Sequence, residues 1–116
     1  MDNTKQSIKR TGLPPIVFNG HAIGSGSTHS HQGDSQNRWT EVDIYRTAAG
    51  RFIWHLAHMT CWQGEHDYFS GGSCATAAEC ITALQDDQGN LGRASQEACE
   101  EAAKNDPDFK FEEVIE

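Results

Sequence analysis

Residues 39 to 59, WTEVDIYRTAAGRFIWHLAHM, place the strongest local constraint on the fold. In the first half, β-branched and aromatic residues alternate with charged ones, which is typical of a strand with two different faces. A second run rich in β-branched and aromatic residues follows TAAG, where Gly50 can supply the positive φ of a bulged type I turn. The sequence therefore predicts an antiparallel β-hairpin.

The register predicted for this hairpin pairs Ile44 with Ile53. In that register the core face carries Thr40, Val42, Ile44, Ile53, His55, Ala57 and Met59. The opposite face carries Trp39, Glu41, Asp43, Tyr45, Phe52, Trp54, Leu56 and His58.

The segments before the hairpin differ in composition. Residues 1–15 are polar and end in two prolines, which predicts a flexible N-terminal arm. IVFNGHAIG, at 16–24, has the β-branched and aromatic content of a strand. Residues 25–37 contain no apolar side chain, so we expect a mobile loop. HDYFS, at 66–70, is expected to form a third strand.

Two helices are predicted after the strands. Thr76 and Glu79 have the spacing of a capping box. In SQEACEEAAK, at 95–104, small residues including Ala98 and Ala102 occupy one side and glutamates the other, so the small side should approach the sheet or the first helix closely. The segment with Phe109 and Phe111 is expected to be a last strand or a packed, extended tail.

Strands followed by helices predict an α+β fold, with an antiparallel meander of three or more strands and two short helices packed on one face. We expect one domain over 16–116, since a chain of 116 residues is long enough to bury a core. The N-terminus lacks a signal-peptide pattern, and no apolar run could span a membrane, so we expect a cytoplasmic protein. The four cysteines should then be thiols, most of them buried.

The formal net charge is −8, and residues 86–116 hold ten acidic but only three basic side chains. Direct nucleic-acid binding is disfavoured, because that affinity rests on Lys and Arg. A basic protein or nucleoprotein complex is the expected partner. Self-association into a homodimer is a further option. The predicted contact residues are Glu97, Glu100, Glu101, Asp106, Asp108, Glu112 and Glu113, together with Trp39, Glu41, Asp43, Tyr45 and Trp54.

Glu41 and Asp43 also suggest an alternative, because carboxylates two residues apart on a strand lie about 7 Å apart at the backbone. That spacing overlaps the carboxyl separation of inverting glycosidases, and neighbouring aromatics could stack on a sugar. The same spacing arises on any alternating strand that faces water. We therefore expect no catalytic residues, and keep a small enzyme or carbohydrate binder as the alternative.

The histidines show no zinc-ligand spacing, and His55 and His58 should point to opposite strand faces. His29 and His31 fall in the predicted loop. GSGS, at 24–27, lacks the lysine of a phosphate-binding loop. No metal or other cofactor is expected.

RWTEVDIYRTAAGRFIWH, CWQGE and ALQDDQGNLGRASQEACEEAAKNDPDF together resemble the small bacterial EXLDI proteins, over roughly residues 38–109. Aligned on Asp43 and Ile44, the chain has Thr40 and Val42 where the name-giving motif has Glu and Leu. The resemblance implies no catalytic residues.

The chain is also similar in type to short acidic proteins of phages and mobile elements, some of which inhibit CRISPR or restriction complexes. We therefore expect a non-catalytic inhibitor or regulator that occupies a basic, nucleic-acid-binding surface. An antitoxin or accessory subunit would use the same binding logic.

Overall fold

The computed structural model describes residues 2–28, 38–113 and 115. A five-stranded antiparallel sheet, with its strands in chain order, carries two helices. The elements are β1 (Thr4–Arg10), β2 (Leu13–Ser27), β3 (Arg38–Thr47), β4 (Phe52–Thr60), β5 (Tyr68–Cys74), α1 (Ala77–Leu84) and α2 (Arg93–Asn105). The predicted α+β class is confirmed.

The N-terminal segment forms an edge strand and the start of β2, so the prediction of a flexible arm over 1–15, with the domain beginning at 16, is wrong for Thr4–Arg10 and for 13–15. Gly12, at φ +79°, makes the turn into β2. In β1 Ile8 is buried, and it packs close to Gly71 of β5. One well-buried side chain and a ladder to β2 hold a strand whose other residues are mostly polar.

The central hairpin forms as predicted, with Gly50 at φ +88°, but its register differs by one residue. Ile44 pairs with Trp54 rather than with Ile53. The amide of Thr47 donates to the Arg51 carbonyl, so the loop between them contains three residues and fixes this pairing. Trp54 therefore shares the helix-bearing face with Ile44, opposite the face of Glu41.

The sheet curls into a half-barrel that brings its two ends together. The Thr11 amide donates to the Phe69 carbonyl at 2.8 Å, and the Phe69 amide donates to the Thr11 hydroxyl at 2.8 Å. The concave face of β3 and β4 is therefore partly covered by β1 and β5. Phe18 of β2 closes over Tyr45 in an edge-to-face contact of 5.2 Å between ring centroids.

Helix α2 lies against β2 without intervening side chains. A Cβ on Gly24 would sit 2.2 Å from the Ala98 carbonyl oxygen, and one on Gly26 would sit 2.1 Å from the Ala94 carbonyl oxygen. The predicted close approach of Ala98 and Ala102 is confirmed, since both are fully buried.

The predicted mobile loop at 25–37 is wrong for Ser25–Ser27, which continue β2 and include Gly26, where the strand packs against α2. The rest of that prediction, with His29 and His31, falls on 29–37, outside the described residues.

The core fills the space between the sheet and the helices. Val42 and Ile44 contribute from β3, and Ile23 turns into the core at an irregularity in the β2 ladder. Thr76 caps α1, its hydroxyl accepting from the Glu79 amide as predicted. The C-terminal segment is an extended tail, with the buried ring of Phe109 packed edge-to-face on Phe52.

The cysteines form no disulfide among the described residues. Cys74, Cys80 and Cys99 are buried and Cys61 is exposed, as expected for mostly buried thiols.

Candidate functional site: an acidic edge

Half of β2 has a strand neighbour on one side only. β1 pairs with β2 between Leu13 and Gly20, so among the described residues His21–Ser27 pair with β3 alone. Open strand edges invite unwanted pairing, and proteins often cover them with a helix. Here α2 packs on the face of this part of β2, because Gly24 and Gly26 let its backbone rest on the strand, and the Asn105 side-chain amide at its end donates to the Ile23 carbonyl at 2.8 Å.

Helix α2 carries carboxylates next to that edge. Glu97 is half-buried, and a Cβ added to Gly26 would lie 2.9 Å from the Glu97 Cβ. Glu101 is exposed and close enough to Asp43 of β3 for its charge to act on that carboxyl group. We call Glu41, Asp43, Glu97 and Glu101 the acidic edge.

Glu41 and Asp43 lie on the concave face of β3 as predicted. The Trp39 indole N–H donates to Glu41 Oε2 at 2.6 Å, which orients that carboxylate. Asp43 pairs with Ser25 on one side and with His55 on the other. All four side chains predicted for this face of β3, those of Trp39, Glu41, Asp43 and Tyr45, are half-buried.

Burial raises the pKa of Asp43, and the nearby His55 partly opposes this, whereas the charges of Glu41 and Glu101 raise the pKa further. Burial also raises the pKa of Tyr45, with a smaller contribution from Asp43. The half-buried Asp43 carboxylate is therefore repelled by the charges of Glu41 and Glu101. A cation brought to the acidic edge would relieve that repulsion.

His55 is a neighbour of this site that the sequence analysis had placed in the core. Its ring lies 2.8 Å from the Lys9 carbonyl oxygen through Nε2, and it stacks on Phe69 at 5.8 Å between centroids. The correct register would have placed it beside Asp43. Its contacts with β1 and β5 depend on sheet curvature, for which the sequence has no local signal.

Asp106 is part of a structural ion pair and not of the predicted contact surface. It is buried, and both of its oxygens accept from Arg46 at 3.0 Å. Asp108 is exposed and accepts from the same guanidinium at 3.0 Å, while that group lies 4.7 Å from the centre of the Phe52 ring. Asp106 is therefore engaged in fixing the end of α2 to β3, because a buried carboxylate needs a partner.

The remaining predicted contact residues are divided between two places. Glu100, Glu112 and Glu113 are exposed, the last two on the C-terminal tail. Trp54 lies on the helix-bearing face, against the core, so it is separated from the other aromatic residues of the predicted set.

Within the described part of the chain, no group of three or more His, Cys, Asp or Glu side chains is placed to hold a metal ion. His55 and His58 point to opposite faces as predicted, since His58 pairs with Thr40 and His55 with Asp43. No described helix is long and apolar enough to cross a membrane.

Comparisons with known proteins found no protein family, no curated protein and no solved structure that matches the chain. The resemblance to EXLDI proteins therefore rests on the quoted motifs alone.

Proposed function

We propose that this is a non-catalytic binding protein whose acidic edge occupies a basic, nucleic-acid-binding surface of a protein complex. The observation that carries the proposal is the seating of α2 on Gly24 and Gly26. That contact joins carboxylates from β3 and α2, which are far apart in sequence, into one surface.

The electrostatics of the acidic edge favour a cationic partner. Half-buried carboxylates such as Asp43 are less well solvated than fully exposed ones, so they gain more from an incoming Arg or Lys. Exposed carboxylates nearby, such as Glu100 and Glu101, extend the negative field and would speed association. Trp39, held by its bond to Glu41, supplies an aromatic contact beside them.

An inhibitor of a CRISPR or restriction complex, of the phage or mobile-element type, fits this chemistry. Such a protein would present carboxylates where its target expects phosphates. An antitoxin or accessory subunit would use the same surface and differ only in its partner.

The proposal is tested by capture from a bacterial lysate with two charge-matched variants. Glu100→Lys/Glu101→Lys reverses two exposed carboxylates of α2, whereas Asp2→Lys/Asp87→Lys reverses two exposed carboxylates elsewhere. Both variants change the net charge by the same amount. We expect wild type and the second variant to capture a nucleic-acid-binding protein that heparin elutes. The first variant should fail to capture it.

Equal capture by both variants would contradict the proposal, as would a captured protein that heparin fails to displace. Measured on the purified partner, the α2 variant should also show slower association with a weaker dependence on salt.

A second candidate, a small enzyme or carbohydrate binder, is favoured by one observation. Asp43 has a raised pKa and lies opposite His55, an arrangement that acid–base chemistry can use. Under this alternative, Glu41→Gln/Asp43→Asn would abolish sugar binding or turnover found for the protein. Retention of full activity by that variant would exclude this face as the site.

A further inference from the structure

A cleft of about 400 Å³ separates the helix-bearing face of the sheet from the facing ends of the two helices. Trp54 and Leu56 of β4 form an apolar wall, and Leu84 lies at the end of α1. The first turn of α2, from Arg93 to Ser95, forms the opposite side. Cavities of this size hold small organic molecules in other proteins.

The first turn of α2 presents hydrogen-bond donors to this cleft. The cap residue is Gly92, which has no side chain to accept from the turn, and the helical bonds begin with the Gln96 amide donating to the Gly92 carbonyl. The backbone N–H groups of Arg93, Ala94 and Ser95 therefore have no acceptor within the helix. A helix N-terminus of this kind carries partial positive charge.

The unpaired hydroxyl group of Ser95 is a second, independent feature of the same place. Ser95 is 3% exposed and lines the cleft. No hydrogen bond joins its side chain to another residue in the described part of the chain. Its hydroxyl oxygen is not one of the fully enclosed polar atoms that lack a partner, so it keeps accessible surface at the cleft. An unpaired hydroxyl in that position can donate to a ligand in the cleft.

The wall opposite α2 suits an apolar body. Trp54 owes its position to Gly72, since a Cβ there would lie 2.8 Å from the indole nitrogen. Leu56 continues the apolar surface along the same strand face. The nearby Asp86 carboxylate accepts from the Gln88 and Asn90 amides at 2.9 Å, so it is engaged in its own turn.

We propose that this cleft binds a small organic oxyanion, with a phosphate or carboxylate group at the first turn of α2 and an apolar body over Trp54 and Leu56. The free N–H groups and the Ser95 hydroxyl donate to the oxyanion. Arg93 at the rim adds a positive charge. This site does not depend on the acidic edge or on any protein partner.

The test is an amide NMR titration of the full chain with phenyl phosphate, with benzyl alcohol as the uncharged comparison. We expect saturable shifts at Arg93, Ala94 and Ser95 with phenyl phosphate, and much weaker binding of benzyl alcohol. Ser95→Ala should weaken phenyl phosphate binding about tenfold, because losing one hydrogen bond to a charged group weakens binding by about that factor. Arg93→Gln should weaken it about threefold, whereas Arg51→Gln, in the connection between β3 and β4 and outside the cleft lining, should leave it unchanged.

Gly92→Ser provides an opposite perturbation. Gly92 has φ −70° and open space around its Cβ position, so serine fits there and its hydroxyl can accept from the first turn. This variant should keep or raise thermal stability while weakening phenyl phosphate binding, which separates the site from the fold. The proposal is wrong if the three amides show no saturable shift, if benzyl alcohol binds equally well, or if Ser95→Ala and Gly92→Ser bind as wild type does.

Discussion

Replacing Gly24 by alanine should show how strongly the fold depends on backbone contact between α2 and β2. The new Cβ would sit 2.2 Å from the Ala98 carbonyl oxygen and 2.7 Å from the Ala102 amide nitrogen. Because an ordinary contact needs at least 3.4 Å, strand and helix must separate by about 1.2 Å. Neither backbone atom can rotate away as a flexible side chain would.

The expected cost follows from what that separation disturbs. Ala98, Cys99 and Ala102 are each 0% exposed, so the gap opens in the core. A radial gap of 0.5–1 Å already forfeits roughly a quarter to a half of the dispersion energy of a contact. Overpacking costs about 1–3 kcal/mol, and the rigid contact atoms place Gly24→Ala near the upper end, about 2–3 kcal/mol.

Urea unfolding followed by circular dichroism measures this change. With a slope of about 1–3 kcal/mol/M, the midpoint should fall by roughly 0.7–3 M. Ser25→Ala, at the exposed residue between the two glycines, is the matched control and should stay within about 0.5 kcal/mol of wild type. A Gly24→Ala midpoint equal to that of Ser25→Ala would refute the proposed seating of the helix.

Three further predictions use the same structure. Ala102→Leu should destabilise by about 1–3 kcal/mol through overpacking against β2, whereas Glu101→Ala on the exposed side should be nearly neutral, and equal melting temperatures would show that the helical orientation is wrong. Asp43→Asn should stabilise the fold at pH 7. The raised pKa of Asp43 means that its carboxyl group holds a proton more tightly in the native state than in the unfolded chain. The stability of the wild type therefore falls as pH rises from the unfolded pKa, about 3.9, through the higher folded pKa. Urea unfolding at pH 7 and pH 3 should show the gain only at pH 7, and a loss of stability at pH 7 would contradict the sign. With a thiol reagent, one cysteine should react rapidly in the native protein, and Cys61→Ser should remove that phase, because burial raises the pKa of Cys99 to about 11 and also raises that of Cys80. Two or more rapid thiols would contradict the buried positions.

The hairpin shows why its turn was predictable and its register was not. The turn has a local signal, because Gly50 follows two small residues between two strand-like runs. Face assignment needs one polar and one apolar face, but β4 contacts the helices on one side and the curled sheet on the other. Phe52 and Ile53 are both buried in consequence, so alternation in β4 carries no information about which residue faces which layer.

The glycines of β2 show a second limit of sequence reasoning. The composition of GSGS is typical of a loop, yet Gly24 and Gly26 are the positions at which a helix backbone touches the strand. The complementary signal was present in α2, where Ala94, Ala98 and Ala102 form a small-residue face. Pairing a glycine strand with an alanine helix would have predicted the contact, but only if the two distant segments were known to be neighbours.

Asp106 and Trp54 left the predicted contact surface for different physical reasons. Asp106 has the composition of an acidic surface residue, and only the position of Arg46, sixty residues earlier, reveals that it is an ion-pair partner. Trp54 moved because the register differs by one residue, which turns every side chain of β4 to the other face. That change places its indole beside the oxyanion cleft.

Helix α2 serves both proposed sites, at different ends of one rigid element. Its first turn borders the cleft, whereas Glu97 and Glu101 lie along the open edge of β2. Local changes should therefore separate the two activities: Ser95→Ala affects the oxyanion alone, and Glu101→Lys affects the protein partner alone. Gly24→Ala acts on the seat that both share, so it should weaken both kinds of binding together, even at temperatures where the chain remains folded.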